Sequence, residues 1–266
     1  MAVKPLMEDW VAGSAGAVAA LGTPAFPKAL TVAIRRVVPF EFTVVFGYYR
    51  DNRPLDIYDD FPAAKRCVMV DDYQEGPYLL DPFYLHSAAP TTSRLVRLRD
   101  LAPDRFYQAE YFRNYYVQTG LAEEIGFIVD VGDNVSVVIS AMREHRAFSA
   151  REFRDLQAIF PFVEAASRKH WTGLVSEFSD RAPLDGPRLP KLIDDAFQRF
   201  GRNILTPREA EIVEYTLKGH SAEATGQALG IASGTVRIHR RNIYGKLGVS
   251  SQGELFSSFI ASLDDL

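Results

Sequence analysis

The residues best suited to a specific chemistry are basic side chains near the carboxyl end of the chain. Between positions 235 and 247 the sequence has no acidic residue, and its basic or imidazole side chains are Arg237, His239, Arg240, Arg241 and Lys246. Arg237 and Arg241 are four residues apart, so they share one face if the segment is helical. Arginine can make bidentate contacts with guanine, and other basic side chains hold a helix on phosphate. The segment therefore predicts a DNA-reading helix; the alternative is a solvated basic face on an ordinary helical bundle.

A first helix ahead of this segment is indicated by its start and stop signals. Thr206 can cap the free backbone N–H groups, Pro207 suits the first helical position, and Glu209 can close a capping box. Apolar residues then recur at helical spacing until Gly219, which is an expected helix stop.

A second helix and a turn are predicted ahead of the basic segment, and they would position it against DNA. The second helix begins at Ser221 and ends at Gly230, and a short turn leads to the basic helix, whose expected cap is Ser233 or Thr235. Two helices joined by a short glycine-containing turn form the arrangement that lays its second helix in the major groove.

Residues 205–249 resemble the DNA-binding domain of the LuxR-type regulators. The positions that carry the resemblance are Leu205, Thr206, Arg208, Glu209, Glu211, Gly219, Ser221, Leu229, Ile231, Thr235, Val236, His239, Ile243, Lys246, Leu247 and Val249. The resemblance implies a four-helix domain whose third helix reads DNA and whose fourth, about 251–263, helps to pair two copies. It also implies six contact residues, with base contacts by Arg237, Ile238 and Arg241 and phosphate contacts by Thr235, Arg240 and Lys246.

The second helix departs from the family pattern. Ala224, Thr225 and Gly226 stand where the pattern has Glu, Ile and Ala. A glycine inside a helix costs up to about 1 kcal/mol relative to alanine. We interpret this as a weakened scaffold helix beside an intact reading helix.

The amino-terminal part of the chain has the pattern of an α+β domain. A hairpin is predicted from residues 40–59 and a second from Glu124–Val131 and Asn134–Met142, joined at Gly132-Asp133. A further strand is predicted at 94–99. Hairpins without a βαβ rhythm favour an antiparallel sheet flanked by helices.

Helices are predicted around this sheet. They cover 62–75 and 103–118, together with a segment that starts at the cap Ser149 and that Pro161 should kink or end. The small apolar run at 11–21 is expected to be a buried helix. The predicted organisation is a sensing domain at 1–179, a linker with a short helix at 180–200 and an all-α helix-turn-helix domain at 201–266.

The amino-terminal layout resembles the autoinducer-binding domains, relatives of PAS and GAF sensors, that precede LuxR-type readers. Asp81 in YLLDPFY matches the aspartate that accepts the amide N–H of an acyl-homoserine lactone in that family. The family's accompanying aromatic residues are replaced here by Val68, Asp72 and Val96. The ligand is therefore expected to be a small molecule other than an acyl-homoserine lactone.

Aromatic side chains and carboxylates together suggest what that ligand would be. Tyr73, Tyr78 and Tyr84 lie near Asp81 in the sequence. Aromatic faces with a carboxylate are how proteins hold amines, so an amine- or amide-bearing ligand is predicted. The alternatives are that the aromatic residues belong to the core or a dimer interface and that Asp81 caps a helix.

Composition limits the other classes of function. The chain has 266 residues, 47% of them hydrophobic, and a net charge of −4, which suits two globular domains. The single cysteine, Cys67, excludes an internal disulfide and fits a reducing cytoplasm; we interpret it as a small residue in a helical stretch. No apolar run reaches the roughly 18 residues of a membrane helix. No nucleophile–histidine or metal-ligand spacing is present, so neither an enzyme nor a cofactor nor a metal is expected.

These patterns predict a cytoplasmic, ligand-responsive transcriptional regulator. It would bind a pseudo-palindromic operator in double-stranded DNA as a homodimer, with a small-molecule effector and with RNA polymerase as a candidate partner. The alternatives are an acyl-homoserine-lactone receptor and a ligand-independent dimeric regulator or interaction protein. A phosphorylation-controlled response regulator is disfavoured because the hairpins leave no repeated βα units.

Overall fold

The structure is a computed structural model, and it describes residues 3–50, 52–74, 77–87, 92–106, 120–179, 199–201 and 203–263. Most of the predicted helix at 103–118 and most of the linker at 180–200 lie outside the described residues. The helices are α1 Val3–Ala19, α2 Phe26–Val37, α3 Ala63–Arg66, α4 Pro82–Ser87, α5 Leu98–Leu101, α6 Ala150–His170, α7 Val175–Ser179, α8 Pro207–Leu217, α9 Ala222–Leu229, α10 Ser233–Leu247 and α11 Gln252–Leu263. A π-helical segment covers Cys67–Asp72 and a 3-10 turn covers Pro77–Leu80. The strands are β1 Phe42–Tyr49, β2 Leu55–Asp59, β3 Arg94–Arg97, β4 Glu123–Gly132 and β5 Val135–Arg143.

The described residues cluster into two compact units. The first, called here the sheet unit, takes its residues from 1–67, 83–101 and 121–186. The second, called here the reader unit, takes them from 68–82, 102–120 and 187–266. Two stretches of the predicted sensing domain therefore belong to the same unit as the carboxyl-terminal helices. The boundaries at 179 and 201 remain predictions.

The sheet unit contains one antiparallel sheet of five strands in the order β2-β1-β5-β4-β3, and this confirms the predicted fold class. Both predicted hairpins are present. The second turn is one residue later than expected, since β4 extends through Gly132. Asp133 and Asn134 form the turn with φ of 54° and 60°, as a two-residue type I′ hairpin requires.

The two faces of the sheet carry different side chains because successive residues of a strand point to opposite sides. One face is apolar and mainly aliphatic and forms the main core with α2 and α6, through Val45, Ile125, Phe127, Val137 and Ile139. The opposite face carries aromatic and polar residues, among them Phe46, Tyr48, Ser136 and Ser140, and these are buried as well. Gly126 lies on this face, where any side chain would overlap the ring of Phe83.

Helix α6 begins where it was expected and continues past Pro161 to His170. Ser149 and Glu152 form a capping box at its start. Of the two effects predicted for Pro161, a kink or an end, the end does not occur. Pro161 is exposed, and Leu156, Ile159 and Val163 are buried on both sides of it. This burial offsets the roughly 3 kcal/mol that an interior proline costs a helix.

Helix α1 was expected to be buried, and it is mostly exposed. Among its residues from 8 to 19, only Gly13 and Ala17 are buried, while Val11 and Val18 are 59% and 51% exposed. A Cβ at Gly13 would lie 2.9 Å from the Cα atom of Ala33, so glycine allows α1 to approach α2 closely. The small residues of α1 therefore allow a close approach to α2 along a narrow line that includes Gly13. No helix within the described ranges is long and apolar enough to span a membrane.

A buried ion pair joins the sheet to the start of α6. Arg97 Nη1 lies 2.5 Å from Glu123 Oε1, and both side chains are almost completely buried. Arg97 also donates to the carbonyl of Phe148, and Glu123 accepts from the backbone N–H of the same residue. Each charge is satisfied by protein groups, which is what burial of an ion pair requires.

Candidate nucleic-acid interface

The first helix of the predicted reader, α8, has the expected cap. Thr206 N donates to Glu209 Oε2 at 2.8 Å, and Glu209 N donates to Thr206 Oγ1 at 3.3 Å. Lys246 Nζ, on α10, lies 2.7 Å from Glu209 Oε2. Burial alone would raise the pKa of Glu209, but the hydrogen bonds from Lys246 and Thr206 outweigh it and lower the pKa. Glu209, which closes the capping box of α8, thus also anchors the end of α10 through Lys246.

The scaffold helix α9 is shaped by a glycine that we interpreted as a weakness. Ser221 Oγ accepts from Ala224 N, and α9 ends at Gly230 in the left-handed conformation. A Cβ at Gly226 would lie 2.6 Å from the carbonyl oxygen of Ile231 in the following turn. That interpretation is therefore wrong for Gly226, because the residue lets the turn close tightly against the helix. Thr225 is fully buried, which is consistent with its place at a core position.

The reading helix α10 begins earlier than its expected caps. Ala232 is the residue that precedes the helix, and no side chain caps it, so neither Ser233 nor Thr235 has that role. Val236 and Ile243 are buried and hold α10 against its neighbours. Gly248, with φ of 68°, ends it.

The opposite face of α10 is open to solvent. Ile238 is 54% exposed, and Thr235, Arg237 and Arg241 are exposed as well. Arg237 forms an ion pair with Glu223 of α9. The side chain of Arg241 makes no hydrogen bond or ion pair with the described residues. We call Thr235, Arg237, Ile238 and Arg241 the reading face.

The other two expected DNA contacts are bound to protein groups in this structure. Arg240 is half-buried, and its Nη2 donates to the carbonyl of His220 at 2.9 Å. Burial lowers the pKa of Arg240. Lys246 makes the ion pair with Glu209 described above. Sequence reasoning missed Glu209 as the partner of Lys246 and Glu223 as the partner of Arg237, because each pair is far apart in the sequence.

The expected ligand-contact residues fall into separate groups. In the reader unit, the hydroxyl of Tyr73 donates to Asp81 Oδ2 at 2.6 Å, and the rings of Tyr73 and Tyr78 meet edge-to-face with centroids 6.1 Å apart. In the sheet unit, Tyr84 packs edge-to-face on Tyr48, with centroids 5.6 Å apart. The structure thus brings Tyr73, Tyr78 and Asp81 together, and Tyr84 belongs to the aromatic face of the sheet.

The residues that replace the family's aromatic side chains belong to both units. Val68 lies in the π-helical segment, and Asp72 at its end is exposed. Val96 is on strand β3 and pairs with Gly126 of β4.

Comparison with known proteins identifies relatives over both halves of the chain. The sequence pattern of the bacterial regulatory proteins, luxR family, matches residues 203–259. An HTH-type transcriptional regulator in the exeN 3′ region of Aeromonas salmonicida is 34% identical over 159 residues, which are 58% of this chain and 80% of that protein. The monoamine regulon transcriptional regulator of Klebsiella aerogenes is 26% identical over 228 residues, covering 84% of this chain and 86% of that protein.

A solved ligand-binding domain shares the fold of the amino-terminal part. The LBD domain of VqsR from Pseudomonas aeruginosa superposes with a TM-score of 0.52 at 24% identity. The superposition covers 60% of this chain and 95% of that one.

Proposed function

Because the chain belongs to the LuxR family of bacterial transcriptional regulators, we propose that it binds a pseudo-palindromic DNA site as a homodimer, under the control of a small molecule. The observation that carries this proposal is the reading face of α10. An exposed Ile238 flanked by two exposed arginines suits a major groove, where guanine edges and thymine methyl groups are read.

The six expected contact residues of α10 have two proposed roles. Arg237, Ile238 and Arg241 contact bases, while Thr235, Arg240 and Lys246 contact phosphate. The division is the one that membership of the LuxR family implies, and it is supported by Arg240 and Lys246, which leave α10 nearer the other helices.

Dimerisation is supported by the charge of the DNA-binding segment. Residues 201–266 hold as many Asp and Glu as Lys and Arg, so one copy attracts DNA only weakly. Two copies on adjacent half-sites, about one helical turn apart, would supply the missing affinity. Helix α11, whose family counterparts pair two copies, is the proposed contact. A protein bound to chromosomal DNA in this way acts in the cytoplasm, with RNA polymerase as a candidate partner.

Selection from a random duplex library tests the DNA-binding proposal. The full-length protein, with and without a cell extract that supplies the ligand, is expected to enrich an inverted repeat with half-sites about 10 bp apart. Size analysis of the complex should give two chains per duplex. Enrichment of no sequence under either condition would contradict the proposal.

We propose that the ligand carries an amine or amide rather than an acylated lactone. Three facts support this. The hydroxyl of Tyr73 donates to the Asp81 carboxylate, and the ring of Tyr78 packs edge-to-face on that of Tyr73. The family's aromatic positions are occupied by Val68, Asp72 and Val96. A relative that covers most of the chain is named for a monoamine regulon.

Thermal unfolding in the presence of candidate ligands tests the ligand class. Aromatic monoamines, aliphatic amines, amino acids and acyl-homoserine lactones are compared at equal concentration. A bound ligand raises the unfolding temperature by mass action, and an amine or amide is expected to do so. Stabilisation by lactones alone would favour the lactone-receptor alternative. Stabilisation by none of the four classes would contradict the amine proposal and favour a ligand-independent regulator.

A further inference from the structure

A short turn from the predicted sensing domain is bound to the DNA-binding helices. The turn comprises Pro103–Phe106, and the structure places it in the reader unit. Its backbone is closed by a hydrogen bond from Phe106 N to the carbonyl of Pro103, and the side chain of Phe106 is only 1% exposed. A buried aromatic residue thus fixes one end of the turn, while Asp104 and Arg105 remain at the surface.

Two hydrogen bonds join this turn to the segment between α8 and α9. Arg105 N donates to the carbonyl of Gly219 at 3.0 Å, and Asp104 Oδ1 accepts from Ser221 N at 3.0 Å. Burial alone would raise the pKa of Asp104, but the hydrogen bonds from Ser221 outweigh it and lower the pKa. The turn therefore presents an ionised carboxylate to the start of the scaffold helix. More than a hundred residues separate the two partners in sequence, so local chain geometry does not impose this contact.

The same segment holds a residue that the DNA-binding proposal needs. Arg240 Nη2 donates to the carbonyl of His220, which lies between the two residues bound by the turn. Its Nε is buried with no hydrogen-bond partner among the described residues. Arg240 is therefore turned inward toward the Gly219–Ser221 segment, although it stands next to the exposed Arg241.

We propose that Pro103–Phe106 is an autoinhibitory latch, which holds Arg240 away from DNA and places the Asp104 carboxylate where it repels phosphate. Release of the latch frees the Gly219–Ser221 segment, and Arg240 can then turn outward beside the reading face. Tyr73, Tyr78 and Asp81 belong to the same unit as the latch. The inference rests on the proposed DNA binding by α10.

Neutralising the latch carboxylate tests the proposal directly. Asp104→Ala in the full-length protein is compared with wild type for binding to a fluorescent mixed-sequence duplex of about three helical turns. The variant is expected to bind about two- to fivefold more tightly, the range of an exposed charge contact. Asp100→Ala is the matched control, since it removes the same charge from an exposed residue outside the turn. Affinity for Asp104→Ala equal to or weaker than wild type would overturn the latch.

A reversible cross-link keeps the test independent of any loss of stability. Asp104→Cys and Ser221→Cys are combined in a Cys67→Ser background, because the side chains of 104 and 221 meet. The oxidised protein is expected to bind the same duplex more weakly than its own reduced form, while Cys67→Ser alone shows no redox effect. Equal binding in the two redox states would contradict the latch alone. Failure of every variant to bind any duplex would contradict the DNA-binding proposal together with it.

Discussion

The guanidinium of Arg237 on the reading helix forms an ion pair with the carboxylate of Glu223 on the scaffold helix, fourteen residues earlier in the chain. Both side chains are more than half exposed. An exposed pair of this kind contributes about 0–1 kcal/mol to stability. Its larger consequence is for binding, since a negative charge lies beside a residue proposed to read bases.

Glu223→Gln is expected to increase affinity for DNA by up to about fivefold, because Arg237 is released and a repulsive charge is removed. Affinity is measured by titration of a labelled duplex at several salt concentrations. The matched control is Glu211→Gln, an exposed glutamate paired with Arg208 on α8. If the control raised affinity as much as Glu223→Gln, the effect would reflect overall charge and not this ion pair.

Lys246→Ala is expected to weaken binding to every duplex by a similar factor and to reduce the dependence of affinity on salt by about one counterion. It should also lower stability, because Glu209 is 5% exposed and loses its ammonium partner. Lys218→Ala, which affects a pair with Glu214 at the end of α8, controls for the loss of a lysine. Binding to a selected and a mixed-sequence duplex is compared at a temperature where all variants remain folded. A loss confined to the selected duplex would contradict a phosphate role.

Gly226→Ala is expected to destabilise the DNA-binding helices by about 1–3 kcal/mol, because the new methyl group would press on the carbonyl of Ile231. Gly245→Ala is the control, since nothing lies within 4 Å of its added Cβ. That substitution, in the interior of α10, should stabilise by up to about 1 kcal/mol. Thermal unfolding followed by circular dichroism distinguishes the two. A stabilising Gly226→Ala would restore the interpretation of α9 as a weakened helix.

Stability is expected to depend on the ionisation of Glu152. Hydrogen bonds from Arg143, with further ones from Ser149 and Arg146, hold the pKa of Glu152 far below its usual value of 4.5. The stabilisation is therefore fully present above about pH 4.5 and is lost as the pH falls below it.

Glu152→Gln should lower the free energy of unfolding by about 1–3 kcal/mol at neutral pH and flatten its decline in acid. Urea unfolding at a series of pH values measures both effects. Glu164→Gln, on the same helix and in a longer ion pair, serves as control. Parallel pH profiles for wild type and Glu152→Gln would show that another group governs acid stability.

The features predictable from the sequence are those that neighbouring residues determine. The capping boxes at Thr206 and Ser149 and the hairpin turn near Asp133 follow from side chains within a few residues of one another. The helical periodicity around α10 is local as well. For this reason the sequence predicts both the antiparallel sheet and the helix-turn-helix arrangement.

The features that escaped prediction depend on contacts between distant segments. The role of Gly226 depends on the turn at Ile231, whose carbonyl oxygen lies against it. The continuation of α6 through Pro161 depends on burial against the sheet on both sides of the proline. Three contacts join residues that share no sequence signal. They are those of Arg240 with His220, of Lys246 with Glu209 and of Asp104 with Ser221.

Base reading by Arg241 is the central claim, and its most direct test is the change in sequence preference caused by Arg241→Ala. Binding of wild type, Arg241→Ala and the exposed control Arg151→Ala is measured on the selected duplex and on a set with single base-pair changes. Arg241→Ala is predicted to cost about 1–3 kcal/mol on the selected duplex and to remove discrimination at one base pair in each half-site, with Arg151→Ala like wild type. An equal loss on every duplex, with the base preferences of wild type retained, would contradict the claim.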